Sequence, residues 1–106
     1  MAKKRLVGPT QLAGAAAVLY TVPAGRNALV RHIHFSNPSA GAVDVTVSIG
    51  ADAAGTRLFD GFSIPADSVY DWFGYVPLAA AEDIRGWSSA AATVNIEVAG
   101  EEDVAG

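Results

Sequence analysis

The sequence contains no cysteine among its 106 residues. Disulfide bridges, zinc sites built on thiolates and thiol nucleophiles are therefore all excluded. A chain of this length buries about 60–70% of the surface that its unfolded form exposes, so it needs neither a metal nor a disulfide for stability. We expect one domain held together by a hydrophobic core.

Charged residues are also scarce, at 17% of the chain, whereas globular domains average about 25%. A surface with so little charge is typical of a small domain that a partner partly covers. Seven basic and eleven acidic side chains leave a net charge of −4. Because nucleic-acid affinity depends on contacts between a basic face and phosphates, we expect no binding to nucleic acid.

Long hydrophobic runs are missing as well. No segment approaches the roughly 20 apolar residues of a membrane span, so we expect no membrane partner. The opening MAKKR and the apolar stretch at 12–22 look superficially like a signal peptide, but the residues at 8–11 (GPTQ) interrupt them and alanine dominates the stretch. We therefore expect no export by a signal peptide.

The chain does contain a series of short apolar segments separated by Gly, Pro, Ala and Asp. The clearest is 43–49, where valine and isoleucine alternate with polar residues, which predicts a strand with one buried and one solvent-facing side. Seven or eight strands spaced in this way predict a single all-β domain, an antiparallel β-sandwich or jelly roll. The other predicted strands are 15–22, 28–36, 57–62, 68–76, 83–88 and 93–99.

The stretch from 20 to 37 contains the strongest turn signal. Pro23 presets a backbone dihedral that turns use, and Gly25 can adopt a positive φ without steric cost. We therefore expect the chain to reverse between the strands 15–22 and 28–36.

The strand 28–36 has a mixed pattern. Ile33 and Phe35 share one side of it, while His32, His34 and Ser36 share the other. Arg31 has the same parity as Ile33, which predicts either a side chain at the rim of the sheet or a β-bulge that changes the register.

The two ends of the chain carry opposite charges. Three of the seven basic side chains lie at 3–5 (Lys3, Lys4 and Arg5), and 101–103 are all acidic. Gly8-Pro9 interrupts regular structure near the start. We predict a basic arm at 1–13, a β-sandwich at 14–100 and an acidic tail at 101–106. The arm is either a solvated terminus or a segment docked on an acidic neighbour.

Residues with catalytic or metal-binding potential are few. His32 and His34 could supply two metal ligands from one strand face, but a third ligand would have to come from an acid elsewhere, and we expect no metal and no cofactor. Asp67 with Asp71, or Glu82-Asp83, could be imagined as a glycosidase pair, although acids in turns are usually solvated. No sequence motif for a nucleophile or a phosphate loop is present, so we expect no enzymatic activity.

The strand 68–76 is apolar on both faces, so it is either covered on both sides or lies at an interface. Tyr70 and Trp72 share one face of it. Together with Trp87 they could be core residues, contacts with a protein partner, or a platform on which a sugar stacks. The opposite face carries Val69, Phe73 and Tyr75.

Four segments resemble small β-sandwich virion proteins of tailed bacteriophages. They are TVPAGRNALVRHIHFSN (21–37), the turn SIPADS (63–68), the segment 77–92 that begins PLAAAEDIRGW, and VNIEVAGEE (94–102). The resemblance covers residues 18–102. It departs from the family before the penultimate strand, where a Gly-Asp pair is common and this chain has Glu82-Asp83.

The resemblance implies a capsid decoration (cement) or minor capsid protein on the capsid surface, assembled in the host cytoplasm, or else a tail or neck component. Its partners would be the major capsid protein or other virion proteins, and sister copies in a dimer or trimer. The basic arm would pair with an acidic shell surface and 68–76 would meet a sister subunit. The expected contact residues are Lys3, Lys4, Arg5, Tyr70, Trp72 and Trp87. A carbohydrate-binding module is the rival expectation.

Overall fold

Alternation of apolar and polar side chains produces eight antiparallel strands in the computed structural model, which describes residues 2–104. No helix occurs among these residues. The all-β prediction is therefore confirmed. The strands are β1 (Ala2–Gln11), β2 (Ala17–Thr21), β3 (Arg26–Asn37), β4 (Val43–Ile49), β5 (Arg57–Ile64), β6 (Ser68–Leu78), β7 (Asp83–Ser88) and β8 (Asn95–Val104).

The strands form two four-stranded sheets that pack face to face. The first sheet has the order β1-β8-β3-β6 and the second has the order β2-β7-β4-β5. Strands pair in the sequence 1 with 8, 2 with 7, 3 with 6 and 4 with 5, always antiparallel. This nested pairing is that of one long hairpin rolled into two sheets, which makes the domain an eight-stranded jelly roll.

The turn after β2 forms where the sequence predicts it. Gly25 has a φ of 75° and the Arg26 amide donates to the Pro23 carbonyl at 3.2 Å. The strands on either side do not pair with each other, because β2 lies in the second sheet and β3 in the first. The turn therefore carries the chain from one sheet to the other.

The core lies between the sheets and is built from the inward side chains of both. Ile33 and Phe35 from the first sheet and Val45 from the second are essentially inaccessible. The ring of Phe35 meets that of Phe59 edge-on, with centroids 5.3 Å apart. Burying each such side chain contributes about 1.5–3 kcal/mol to folding.

The N-terminal segment differs from its prediction, since residues 2–11 form the edge strand β1 instead of an arm. Its residues pair with β8 so that Lys3 lies opposite Glu101, which brings the two oppositely charged ends of the chain together. Leu6 and Val7 are buried and anchor the strand. Register shifts lie on both sides of Val7, and an edge strand tolerates the missing amide of Pro9. Met1 lies outside the described residues.

The C-terminal segment also differs, because β8 continues through Gly100 to Val104 and most of the predicted acidic tail is strand. Residues 105–106 lie outside the described residues. Gly100 makes this continuation possible, since a Cβ there would lie 1.8 Å from the Leu29 carbonyl oxygen. A glycine is required where β8 passes so close to the backbone of β3.

The polar side of β4 is less exposed than the sequence predicts. Thr46 and Ser48 are both buried. The Thr46 hydroxyl accepts a hydrogen bond from the Gly61 amide at 3.1 Å, and the Ser48 hydroxyl donates to the Gly50 carbonyl at 2.9 Å. Local backbone partners therefore replace water on this face of the strand.

Candidate functional site

The outer face of the first sheet carries the most unusual side chains of the molecule. A β-bulge between Val30 and His32 places Arg31 out of register, which confirms the second of the two alternatives for this residue. Beyond the bulge, Ile33 points into the core and the histidines on either side of it point outward. Strand β3 lies between β6 and β8 in this sheet, so both neighbours contribute to the outer face.

Two histidines and an aspartate meet on this face, and we call them the His–Asp cluster: His32, His34 and Asp71. His34 lies directly opposite Asp71 in the β3–β6 register. Atom Oδ1 of Asp71 is 2.8 Å from His32 Nε2 and 2.6 Å from His34 Nδ1. Because a carboxylate only accepts, each of these ring nitrogens carries a proton and donates it.

Hydrogen bonds and ring stacking hold the side chains of the cluster in place. The hydrogen bonds from His34 and then His32 lower the pKa of Asp71 below its ordinary value, so its carboxylate is ionised at neutral pH. The ring of Phe73 stacks on that of His32, with centroids 4.6 Å apart and planes 12° apart. This contact restricts the rotation of the imidazole.

The edge strand β6 presents three large apolar side chains to solvent, which we call the apolar stripe: Val69, Phe73 and Tyr75. Their exposed fractions are 60%, 74% and 69%. They alternate with residues that face the second sheet, so all three lie on the outer face. No strand among the described residues pairs with the free edge of β6. The stripe therefore lies open along that edge.

A shallow groove of about 570 Å³ crosses the β1 end of the same face, and we call it the basic groove. Arg5 and Arg31 lie on opposite sides of it. The Arg31 guanidinium is 3.5 Å from Glu101, and Arg5 Nε is 3.8 Å from Glu97. The lining residues are Lys3, Lys4, Arg5, Arg31, Ala99, Gly100 and Glu101. Four of the seven basic residues of the chain thus line one groove.

Glu102 lies on the other side of β8 and ties four strands together. Its carboxylate accepts from Lys4 Nζ at 3.1 Å and from the Tyr20 hydroxyl, and Arg26 Nε is 3.9 Å away. The hydrogen bonds from Tyr20 and then Lys4 lower the pKa of Glu102. Burial, followed by the bond to Glu102, raises the pKa of Tyr20. These side chains hold the strands together. The Lys4 ammonium group is therefore already bonded to a carboxylate of its own chain.

The three predicted aromatic contact residues do not come together. Tyr70 and Trp72 are partly buried on the side of β6 that faces the second sheet, where the Phe59 ring lies 6.3 Å and 6.2 Å from theirs. Trp87 lies in β7 of the second sheet, opposite Thr46 of β4. The aromatic residues with the largest exposed fractions among those described are Phe73 and Tyr75 instead.

The acidic pairs considered for glycosidase chemistry have local partners. Asp71 belongs to the His–Asp cluster, Glu82 accepts from the Ala79 amide at 2.7 Å, and Asp83 forms an ion pair with Arg85 at 3.1 Å. Asp67 lies in the turn before β6 with a φ of 51°. Each of the three paired carboxylates is thus used to hold a turn or a neighbouring side chain.

Sequence reasoning identified the two histidines but not the aspartate that joins them. Asp71 has the correct parity in its strand, yet only the pairing of β3 with β6 makes it a neighbour of His34. The apolar stripe was visible as the second face of 68–76. Which of the two apolar faces is exposed depends on the side from which the second sheet packs.

Comparison with known proteins identifies no family for the chain. No family model matches it, and no curated protein matches its sequence. Among solved structures, the VP2 subviral particle of infectious bursal disease virus is similar over 95% of this chain and 31% of that chain, at 10% identity and a TM-score of 0.46. The chain thus spans about a third of the length of that structure. No helix among the described residues is long and apolar enough to cross a membrane.

Proposed function

We propose that this protein is a non-enzymatic structural protein of a bacteriophage virion that decorates the capsid and stabilises it by bridging shell subunits. The apolar stripe carries the proposal. Three large apolar side chains exposed together on a small domain are typical of a protein contact. The sequence resemblance over residues 18–102 provides the virion context, and the jelly roll is an architecture that capsid proteins use, among others.

We propose that the apolar stripe is the contact between sister copies. It lies on an edge strand whose free edge pairs with no strand among the described residues. Stripes from two copies related by a twofold axis would bury Phe73 and Tyr75 against their own equivalents. The same contact would cover the free edge of β6, which otherwise could pair with unrelated strands.

We propose that the basic groove receives an acidic surface of the shell. Lys3 and Arg5 lie on β1, at the opposite edge of the sheet from the stripe on β6, and Arg31 lies on β3 between these two edges. The groove and the stripe could therefore be occupied at the same time, which is what a bridging protein requires. Contacts between exposed charges are screened by salt, so attachment to the shell should weaken as ionic strength rises.

The sugar-binding alternative has no support from the geometry. Its platform would need Tyr70 with Trp72 or Trp87 on an exposed surface. The first two face the second sheet from β6, whereas Trp87 belongs to β7.

Prediction one tests self-association. The wild-type chain should sediment as a twofold dimer, and the double variant Phe73→Ser/Tyr75→Ser should sediment as a monomer because the apolar contact is removed. The control is Val18→Ser, which changes an exposed valine of the second sheet (53% exposed) and should leave the oligomer intact. A wild-type chain that remains monomeric at high concentration would contradict the role of the stripe.

Addition to empty, expanded phage shells tests the location. Wild-type protein should bind the shells in many copies, and Lys3→Gln/Arg5→Gln should weaken binding and reduce its salt dependence. Binding to tails or necks instead of shells would support the tail or neck component that the resemblance also implies. Binding to neither would overturn the virion function.

A further inference from the structure

We propose that the His–Asp cluster is a binding site for one divalent transition-metal ion, with His32 Nε2, His34 Nδ1 and a carboxylate oxygen of Asp71 as ligands. The inference is independent of the proposed function, since it rests only on the geometry of these three side chains. Their candidate ligand atoms all lie within 4.8 Å of one another.

Both histidine nitrogens already lie close to the same carboxylate oxygen of Asp71. A tetrahedral zinc ion with bonds of about 2.0–2.1 Å needs its ligand atoms about 3.3 Å apart. Two of the present separations are 2.8 Å and 2.6 Å, and all three ligand atoms lie within 4.8 Å of one another. Side-chain rotations that change these separations by up to about 1.5 Å would bring all three to the value that zinc needs.

The backbone and the neighbouring ring hold the ligands in position. Successive outward residues of β3 supply the two histidines, and the β3–β6 register places Asp71 opposite His34 and Phe73 opposite His32. Because Phe73 stacks on His32, the imidazole keeps its orientation with Nε2 toward the carboxylate. A site preorganised in this way loses little conformational entropy when it binds an ion.

The local charge favours a cation. Asp71 supplies a negative charge to the cluster. The adjacent charges on β8 are already paired, since Glu97 lies near Arg5 and Glu101 near Arg31. The site is also accessible, because the side chains of His32, His34 and Asp71 are 31%, 30% and 39% exposed.

The ligand types select the kind of metal. Imidazole nitrogen suits zinc, copper, nickel and iron, whereas magnesium and calcium prefer oxygen ligands. Three protein ligands leave a fourth position open to solvent, where water or a group from another molecule can bind. In the metal-bound form the proton of each neutral imidazole lies on its other nitrogen, His32 Nδ1 and His34 Nε2.

The decisive experiment follows zinc binding to the tag-free wild-type chain by calorimetry and by NMR of the imidazole groups. The chain has only these two histidines, so every imidazole signal reports on the cluster. We expect one zinc ion per chain and a shift of both rings from one tautomer to the other. Magnesium at the same concentration should produce neither effect.

Three variants separate the site from nonspecific binding. Asp71→Asn and His34→Phe should each weaken zinc binding by at least about tenfold, since even the loss of a neighbour of a metal ligand costs 10- to 100-fold. The control Asp44→Asn removes the same charge from the second sheet and should bind zinc like the wild type. Unchanged imidazole signals in the wild-type chain, or wild-type affinity in Asp71→Asn, would overturn the proposal. Neither result would affect the test of the apolar stripe, which is read from sedimentation.

Discussion

At the scale of single residues, Asn37 shows how one buried polar side chain can join three segments. The two N–H groups of its amide point at the carbonyls of Gly41, Ile64 and Pro65, which lie 2.9–3.1 Å from the nitrogen, so one hydrogen is shared between two acceptors. Its amide oxygen accepts from the backbone and the hydroxyl of Ser39. The side chain therefore fixes the loop after β3 to the turn between β5 and β6.

The second prediction is that the hydrogen bonds of the Asn37 side chain stabilise the folded protein. Asn37→Ala leaves buried carbonyls and the Ser39 amide without their partner, so it should lower the free energy of unfolding by about 2–3 kcal/mol. Chemical denaturation followed by fluorescence measures the change. The control Asn95→Ala alters a partly exposed asparagine of β8 and should change the free energy by less than about 0.5 kcal/mol. Equal effects of the two substitutions would show that the hydrogen bonds of Asn37 contribute little.

At the scale of secondary-structure elements, β1 is the strand whose presence was least expected. Its attachment combines backbone pairing with β8, the buried side chains of Leu6 and Val7, and the bond from Lys4 to Glu102. Glu102 is also bonded to Tyr20 of β2, so the same carboxylate joins both sheets at this end. Opposite charges at the two ends of the chain thus stabilise the fold itself.

Prediction three follows from the lowered pKa of Glu102. A carboxyl group whose pKa is depressed by folding contributes stability above its ordinary pKa of 4.5, and this contribution is lost as the pH falls through the lower pKa of the folded state. The melting temperature of the wild type should therefore decrease below pH 4.5. Glu102→Gln should be less stable at neutral pH and should show a shallower decrease in acid.

Hydrogen exchange of the β1 amides provides the matching local measurement. In Glu102→Gln these amides should exchange faster than in the wild type, because the anchor between β1 and β8 is weakened. The control is Glu97→Gln, which removes a partly exposed carboxylate 3.8 Å from Arg5 and should leave both the acid dependence and the exchange unchanged. Identical acid profiles for the wild type and Glu102→Gln would refute this role of Glu102.

At the scale of the whole molecule, one continuous core joins the two sheets. The cluster of buried side chains includes residues from every strand except β2. Leu19 and Tyr20 of β2, and Tyr70 and Trp72 of β6, pack against it while partly exposed. A core shared by both sheets favours cooperative unfolding of the domain as one unit.

Prediction four tests this cooperativity. Phe35→Ala removes a completely buried ring that contacts Phe59, so it should cost about 3–5 kcal/mol. Calorimetry should show a single transition at a lower temperature, because both sheets lose stability together. Val18→Ala, on the outside of β2, should leave the melting temperature nearly unchanged. Two separate transitions in Phe35→Ala would contradict a shared core.

The sequence by itself determined the fold class and most of the strands, because alternation and turn residues act over a few neighbouring positions. Strands β4 and β7 have the predicted bounds, Ile33 and Phe35 share one side of β3 as predicted, and the bulge at Arg31 is one of the two predicted alternatives. Only the tertiary structure decided which strands pair and in which register. The register of β3 against β6 joined Asp71 to the histidines, and the pairing of β1 with β8 turned a supposed basic arm into an edge strand. Strand pairing joins segments that lie far apart in the chain, so a local sequence pattern does not specify it. In the same way, the exposed side of β6 depends on where the second sheet packs. That sheet covers Tyr70 and Trp72 and leaves Phe73 and Tyr75 exposed.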